Sequence, residues 1–162
     1  MTIKKAMLDE IDIGILNILQ KNCRIRVGEI AMKLGLPKST IGYRIKRMEE
    51  NEIIQGYYAK INAAKLGKDY TTIIRVRAKF GPRFHEKVGK KLSQIPGVWG
   101  VYFILGGSDF VILCNSDDRE DFMQKLEQIY DMAEIERTNT AVVIKTIKED
   151  PMIQLRLGNS LT

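Results

Sequence analysis

Val27-Gly28-Glu29-Ile30-Ala31-Met32-Lys33-Leu34 and, after two residues, Pro37-Lys38-Ser39-Thr40-Ile41-Gly42-Tyr43-Arg44-Ile45-Lys46-Arg47-Met48 form the stretch that decides the fold. Each half repeats apolar side chains at helical spacing and the break between them is short, so two amphipathic helices joined by a tight turn are expected. That pattern is a helix-turn-helix, whose second helix enters the DNA major groove in proteins built this way. In the second helix Ile41, Ile45 and Met48 recur on one side and are expected to point inward. Lys38, Ser39, Thr40, Gly42, Tyr43, Lys46 and Arg47 then face outward.

The chemistry of that outer face suits a duplex. Lys38, Arg44, Lys46 and Arg47 fall within one helix with no acid between Lys38 and Arg47, so the local field favours phosphate. Lys38, Lys46 and Arg47 are the candidate phosphate contacts, and Ser39, Thr40 and Tyr43 the candidates for base edges. Ser and Thr hydroxyls discriminate weakly, which leaves part of the specificity to DNA shape. Pro37 is expected at the first helical position, where its missing N–H is harmless. Arg44 lies near Ile41 and Ile45 on the helical wheel, so pairing with Glu10, Asp12 or Glu29 is its expected role. The same residues also fit a plain solvated basic face. A phosphate loop ending in Lys38-Ser39-Thr40 is excluded, because Met32 and Pro37 stand where glycines are required.

The flanks match. Leu8, Ile11, Ile15, Ile18 and Leu19 are spaced as one helical stripe, with Asp9, Glu10 and Asp12 at the start where acids complement the helix dipole. This predicts a supporting helix. From Asn51 to Asn62 the composition turns β-prone, as for a short hairpin arm of a winged-type domain or a linker.

The chain has 162 residues, 44% of them hydrophobic, and a formal charge of +6. Residues 1–60 carry eleven Lys/Arg against seven Asp/Glu, and the remainder fifteen against thirteen, so the excess is concentrated in the smaller part. No apolar run is long enough to span a bilayer and no signal-peptide core opens the chain, which makes the cytoplasm the expected location. Cys23 and Cys114 fall in separate parts and are expected as buried free thiols; no metal-ligand spacing surrounds either.

The second part alternates strand and helix patterns: Thr71–Lys79 extended, Phe84–Gln94 helical, Val98–Leu105 and Asp109–Cys114 extended around a Gly106-Gly107-Ser108 turn, then a helix opened by Ser116 as cap, and a last strand over 135–147. The order βαββαβ is a ferredoxin-like split unit, so the fold class is α+β. The domains read as 1–55 for the helix-turn-helix, 56–68 for a linker, 69–150 for the ferredoxin-like domain, and 151–162 for a tail. In that tail Ile153, Leu155 and Leu157 could add an edge strand, while Gly158-Asn159-Ser160 suggests a loosely held end. Both crossover helices of such a unit lie on one sheet face. A second copy is the natural cover for the other, with Trp99, Tyr102 and Phe103 in packing roles. A two-fold dimer places two reading helices about a helical turn or a multiple apart, and an imperfect palindrome is then the expected target.

With Leu8-Asp9-x-x-Asp12-x-x-Ile15-Leu16, Ser39-Thr40-Ile41-x-x-Arg44-Ile45-x-x-Met48-Glu49, Ile53-Ile54-x-Gly56-Tyr57, Ile95-Pro96-Gly97-Val98, Gly106-x-x-Asp109 and Thr138-x-Thr140 in this order, the chain from residue 8 to 148 resembles the Lrp/AsnC, or feast/famine, transcription regulators. The resemblance implies dimers joined through the ferredoxin-like domains, dimers assembled into octamers, and an amino acid or related metabolite as effector; it implies no other cofactor.

Under that resemblance Gly106, Gly107, Ser108 and Asp109 are candidate effector contacts, offering backbone amides to a carboxylate and one acid to an ammonium. Thr138 and Thr140, two apart on a strand, share one face and join them. The other reading leaves the glycines as turn formers, Asp109 as its cap, and the threonines as strand formers. Ser108 stands where the family often has a larger side chain. Two alternatives come from other classes. A tetrapyrrole decarboxylase of the same domain plan would need Arg75, Arg77, Lys79 and His85 in one basic cleft, and a sensing module that regulates a partner enzyme would need no reading helix. His85, the only histidine, is otherwise a solvated or capping residue.

Overall fold

Asp9 starts helix α1, Glu10–Lys21, with a reciprocal cap: its carboxylate accepts the Asp12 N–H at 2.9 Å, and the Asp12 carboxylate accepts the Asp9 N–H at 3.3 Å. The computed structural model describes residues 8–68 and 70–155. They divide into two units, one running to Lys60 and taking in the segment from Glu149, the other being Ile61–Lys148.

In the first unit α2, Val27–Leu34, ends at Gly35, whose φ of 65° is the left-handed conformation that lets the chain turn sharply into α3, Lys38–Glu50. Pro37 caps α3 from one position earlier than expected. Ile15, Leu16, Leu19, Ile30, Ala31, Ile41 and Met48 interlock as the core, with Ile45 packed partly against it. Burying each of the Ile, Leu and Met side chains contributes about 1.5–3 kcal/mol, which is what holds three short helices together.

Between Asn51 and Asn62 no strand forms. The start of this segment is tied to α3 by Tyr57, whose hydroxyl donates to Glu49 Oε1 at 2.7 Å; burial, reinforced by that carboxylate, pushes the phenol up to about 12. The tail forms no strand over 151–155 either. Gln20 instead accepts the Ile153 N–H at 2.7 Å and donates to its carbonyl at 3.1 Å, and Leu155 packs on the helical core. Leu157 and Gly158–Ser160 lie outside the described residues.

In the second unit a short 3-10 turn, Ala64–Leu66, precedes β1, Tyr70–Ala78; α4, Phe84–Leu92; β2, Val98–Phe103; β3, Phe110–Ser116; α5, Arg119–Tyr130; and β4, Ile135–Val142. The antiparallel sheet has the order β2-β3-β1-β4, the ferredoxin-like arrangement. Ile74 and Val76 of β1, with Phe110, Ile112 and Cys114 of β3, alternate onto the face covered by Val88 and Leu92 of α4 and Phe122, Leu126 and Ile129 of α5. The cap of α5 is Asp118, which accepts the Asp121 N–H at 2.9 Å, rather than Ser116. Ser116 is the buried last residue of β3 and its hydroxyl meets the buried Lys125 Nζ at 3.1 Å. Of the two thiols, both free, Cys114 is buried but Cys23 only half so.

The opposite sheet face carries Ile73, Val111 and Leu113 with exposed Trp99 and Tyr102, and neither α4 nor α5 of this unit packs on it. No helix among the described residues is long and apolar enough to cross a membrane.

Candidate functional site

The acid-rich start of α1 organises the basic helix α3. Asp12 is completely buried and meets two arginines, Arg44 Nη1 at 2.9 Å and Arg47 Nη2 at 2.6 Å, while Arg44 also bonds Asp9 at 2.6 Å. The capping N–H of Asp12, and then Arg44, hold the Asp9 carboxyl below its ordinary value, and the two carboxylates raise that of Arg44. Asp12 was among the expected partners of Arg44; Asp9 was not, and Glu10 and Glu29 take no part.

Arg47 departs from its expected outward position. It reaches sideways to Asp12 with 39% of its side chain still exposed, because that carboxylate would otherwise be a buried, half-paired charge. The outward stripe is therefore Lys38, Ser39, Tyr43 and Lys46, with Thr40 half-buried beside it. Among the described residues Lys46 pairs only with the exposed Glu50, at 3.7 Å. The first turn of α3 has no acid and no side-chain cap, so its free N–H groups and Lys38 present positive potential together.

At the far end of the second unit the β2–β3 connection folds back so that the Asp109 N–H donates to the Val76 carbonyl at 2.9 Å. Asp109 is buried, and its Oδ2 accepts the Ala78 N–H at 2.8 Å, at the place where the β1–β4 register shifts. The Ala78 N–H points to the β3 side of β1, beyond the last ladder pair Val76–Phe110, and a buried unpaired N–H costs about 1–3 kcal/mol. Asp109 supplies that partner. The carboxylate expected for an ammonium is thus committed to the sheet.

Thr138 and Thr140 do share a face, but their strand partners are Val76 and Ile74, which point to the helices. Thr138 Oγ1 lies 3.3 Å from the Tyr130 hydroxyl of α5. Gly107 and Ser108 border the opposite, uncovered face, around a cavity of about 420 Å³ lined also by Arg75, Arg77, Arg137, Asn139 and Thr138. The structure brings Gly107, Ser108 and Thr138 to this cavity; Gly106, Asp109 and Thr140 do not line it. Arg137 and Asn139 escaped the sequence reading, since placing them beside Arg75 and Arg77 requires the β1–β4 register.

The cleft needed by the decarboxylase alternative is not assembled. Arg75 and Arg77 occupy the uncovered face, Lys79 donates to the Ala133 carbonyl at 3.1 Å, and His85 stacks near Phe103 on the helix side. Among the described residues no group of His, Cys, Asp and Glu is arranged to hold a metal.

A three-helix reader whose third helix is basic and uncapped, and a separate α+β unit bearing a ligand-sized cavity, define a helix-turn-helix transcription regulator with a ligand-binding domain. The comparisons agree: residues 8–55 match the winged helix-turn-helix DNA-binding family and residues 71–153 the Lrp/AsnC ligand binding domain. The chain belongs to the Lrp/AsnC family. It is 35% identical over 144 residues to an uncharacterized HTH-type transcriptional regulator of Pyrococcus abyssi, covering 89% of this chain and 97% of the relative. It is 32% identical over 145 residues to the HTH-type transcriptional regulator FL11 of Pyrococcus furiosus, covering 90% and 95%. In fold it matches a Neisseria meningitidis transcriptional regulator in complex with L-Met at TM-score 0.83 and 22% identity, over 91% of this chain and 96% of that one. A Mycobacterium tuberculosis feast or famine regulatory protein complexed with L-methionine matches at 0.82 and 24%, over 90% and 98%.

Proposed function

We propose that this regulator acts in the cytoplasm as a homodimer, or an assembly of such dimers, on an imperfectly palindromic duplex. Lys38 and Lys46 contact phosphates, Ser39, Thr40 and Tyr43 reach base edges, and Arg47 stands at the margin of the contact. Its C-terminal domain binds an amino acid or related metabolite at the Gly107–Ser108 end, a reading supported by the ligand-binding domain match and the methionine complexes of its fold relatives. The dimer reading is supported by the apolar sheet face that neither helix of the second unit covers. The observation that carries the whole is the division of labour on α3: Arg44 and Arg47 are locked to buried acid, while Lys38, Ser39, Tyr43 and Lys46 are left in solvent.

Fluorescence anisotropy with labelled duplexes over a range of salt tests it. Each phosphate contact contributes about one unit to the slope of log affinity against log salt. Lys38→Ala and Lys46→Ala should each flatten the slope by about that amount and weaken all sequences alike. Failure to bind any duplex at low salt would remove the proposal.

A further inference from the structure

We infer that the cavity beside the β2–β3 turn is built for a small molecule carrying two or more anionic groups, rather than for a neutral amino acid. The inference rests on the reading of this end of the domain as the effector site and adds the chemical class of the ligand.

Arg77 and Arg137 are direct cross-strand partners on the uncovered face, and Arg75 lies two residues along β1 on the same side. Side chains directly opposite in an antiparallel pair have their Cβ atoms only about 5 Å apart, and like charges there destabilise the sheet. The cluster has little to offset it. Among the described residues Arg75 and Arg137 have no ion pair, and Arg77 has only the exposed Glu136, whose Oε2 is 3.9 Å from Nε. Arg77 Nη1 donates to the Gly107 carbonyl at 3.2 Å, which fixes its guanidinium at the cavity wall.

A second copy laid on this face brings no remedy. The one acid that the described strand residues place beside it is Glu136, in the β4 bulge and already against Arg77, so two-fold pairing keeps three arginines to each carboxylate. A zwitterionic amino acid also fits poorly, because its ammonium would sit among guanidiniums and Asp109 is already held by the Ala78 N–H. A ligand with two carboxylates, or a phosphate, matches planar guanidinium donors and fills a volume of about 420 Å³, within the ordinary range of metabolite sites. A nucleic acid is the less favoured partner: Ile73, Val111 and Leu113 make the middle of this face apolar, and the charge is confined to one concave end.

The test uses the full chain in thermal-shift and calorimetric titrations with succinate, 2-oxoglutarate, glycerol 3-phosphate, methionine and leucine, at ionic strength matched with sodium chloride. A ligand that binds only the folded form raises the melting temperature. The dianions should bind at least tenfold more tightly than methionine or leucine, and the carboxylate and phosphate arms then identify which acid is preferred. Arg75→Gln and Arg137→Gln should each weaken that binding by roughly tenfold or more, as expected for loss of a charged hydrogen bond. Arg137→Gln should also raise the melting temperature of the ligand-free protein by relieving the Arg77–Arg137 opposition. Stabilisation by methionine or leucine without the dianions would leave the effector reading standing and overturn this one. So would an equal response to chloride, or no response to any probe, neither of which touches duplex binding read by anisotropy. Loss of duplex binding by Arg75→Gln in ligand-free buffer would assign the cluster to nucleic acid and overturn it as well.

Discussion

Replacing Asp12 by Asn should unfold the helical unit well before the rest of the chain. The Asp12 side chain is wholly buried, and its oxygens lie 2.9 Å from Arg44 and 2.6 Å from Arg47. A hydrogen bond to a charged group is worth about 1.5–3 kcal/mol against about 0.5–1.5 for a neutral one, so neutralising the acceptor costs about 1 kcal/mol per contact. Breaking a fully buried ion pair costs about 3–5 kcal/mol, because the abandoned charge stays buried. Here the abandoned charges can reach water, with 18% of Arg44 and 39% of Arg47 exposed, which places the loss lower, near 2 kcal/mol. Asp12→Ala also removes the acceptor for the Asp9 N–H, raising the loss to about 3 kcal/mol. For a unit of this size 2 kcal/mol corresponds to a melting shift of about 8–16 °C. The two units can be followed apart in one denaturation experiment. Trp99, the single tryptophan, reports the sheet, and far-UV ellipticity is weighted towards the helical unit. Glu50→Gln, at the exposed 3.7 Å pair with Lys46, is the control and should change stability by less than about 0.5 kcal/mol. An equally small effect of Asp12→Asn would refute the reasoning, since Asp12 would then behave as a surface acid. The same geometry bears on DNA binding. Arg47→Ala loses a structural contact as well as a cation, so its affinity must be corrected for the folded fraction, whereas Lys46→Ala needs no such correction.

Acid should weaken the sheet unit through Glu134, whose carboxylate lies 2.8 Å from Lys91 Nζ and 3.1 Å from Lys87 Nζ, and is held down to about 2 from an ordinary 4.5 by these two ammonium groups in that order. A carboxyl lowered by folding stabilises fully above its unfolded value and loses that contribution as protons bind. The effect is therefore present above pH 4.5 and disappears between 4.5 and 2. Denaturant titrations across that window should show a shallower decline for Glu134→Gln than for the parent, and superimposable slopes would count against the triad. Gly97→Ala should be among the most damaging single methyl additions. Gly97 has φ 82°, and an added Cβ would lie 2.3 Å from the Asn115 carbonyl and 2.9 Å from Lys125 Nζ. Left-handed strain of about 1 kcal/mol or more then adds to displacement of a β2–β3 backbone contact, and a loss above about 2 kcal/mol is expected in equilibrium unfolding followed by Trp99 fluorescence.

Local patterns were legible in the sequence, and pairings across the fold were not. The bounds of α2 and the burial of Ile41 and Met48 follow from helical spacing, which depends only on neighbours three and four residues away. The order of strands and helices in the second unit follows in the same way. Arg47 was misplaced because a helical wheel places a Cβ, while a long side chain can bend towards a buried acid on another helix. No feature of residues 37–48 announces that Asp12 lacks a second cation until α1 is packed against α3.

The candidate effector site failed to be legible for a sharper reason. On a strand, faces alternate at every residue, so which groups share a cavity depends on register, and a slip of one position exchanges the two faces completely. Thr138 and Thr140 were correctly placed together and Arg75 and Arg77 were correctly placed together, yet nothing in either strand alone says whether the two pairs face the same way. The β1–β4 ladder sets Thr138 against Val76 and Arg137 against Arg77, which sends the threonine hydroxyls to the helices and gathers the arginines opposite. On the other edge of β1 the ladder with β3 ends at Phe110, which leaves the Ala78 N–H to Asp109 and withdraws the acid best suited to an ammonium. The β1–β4 register therefore assembles the cationic cavity and the end of the β1–β3 ladder removes its anionic complement, so the preference for an acidic ligand is a property of strand pairing rather than of any motif.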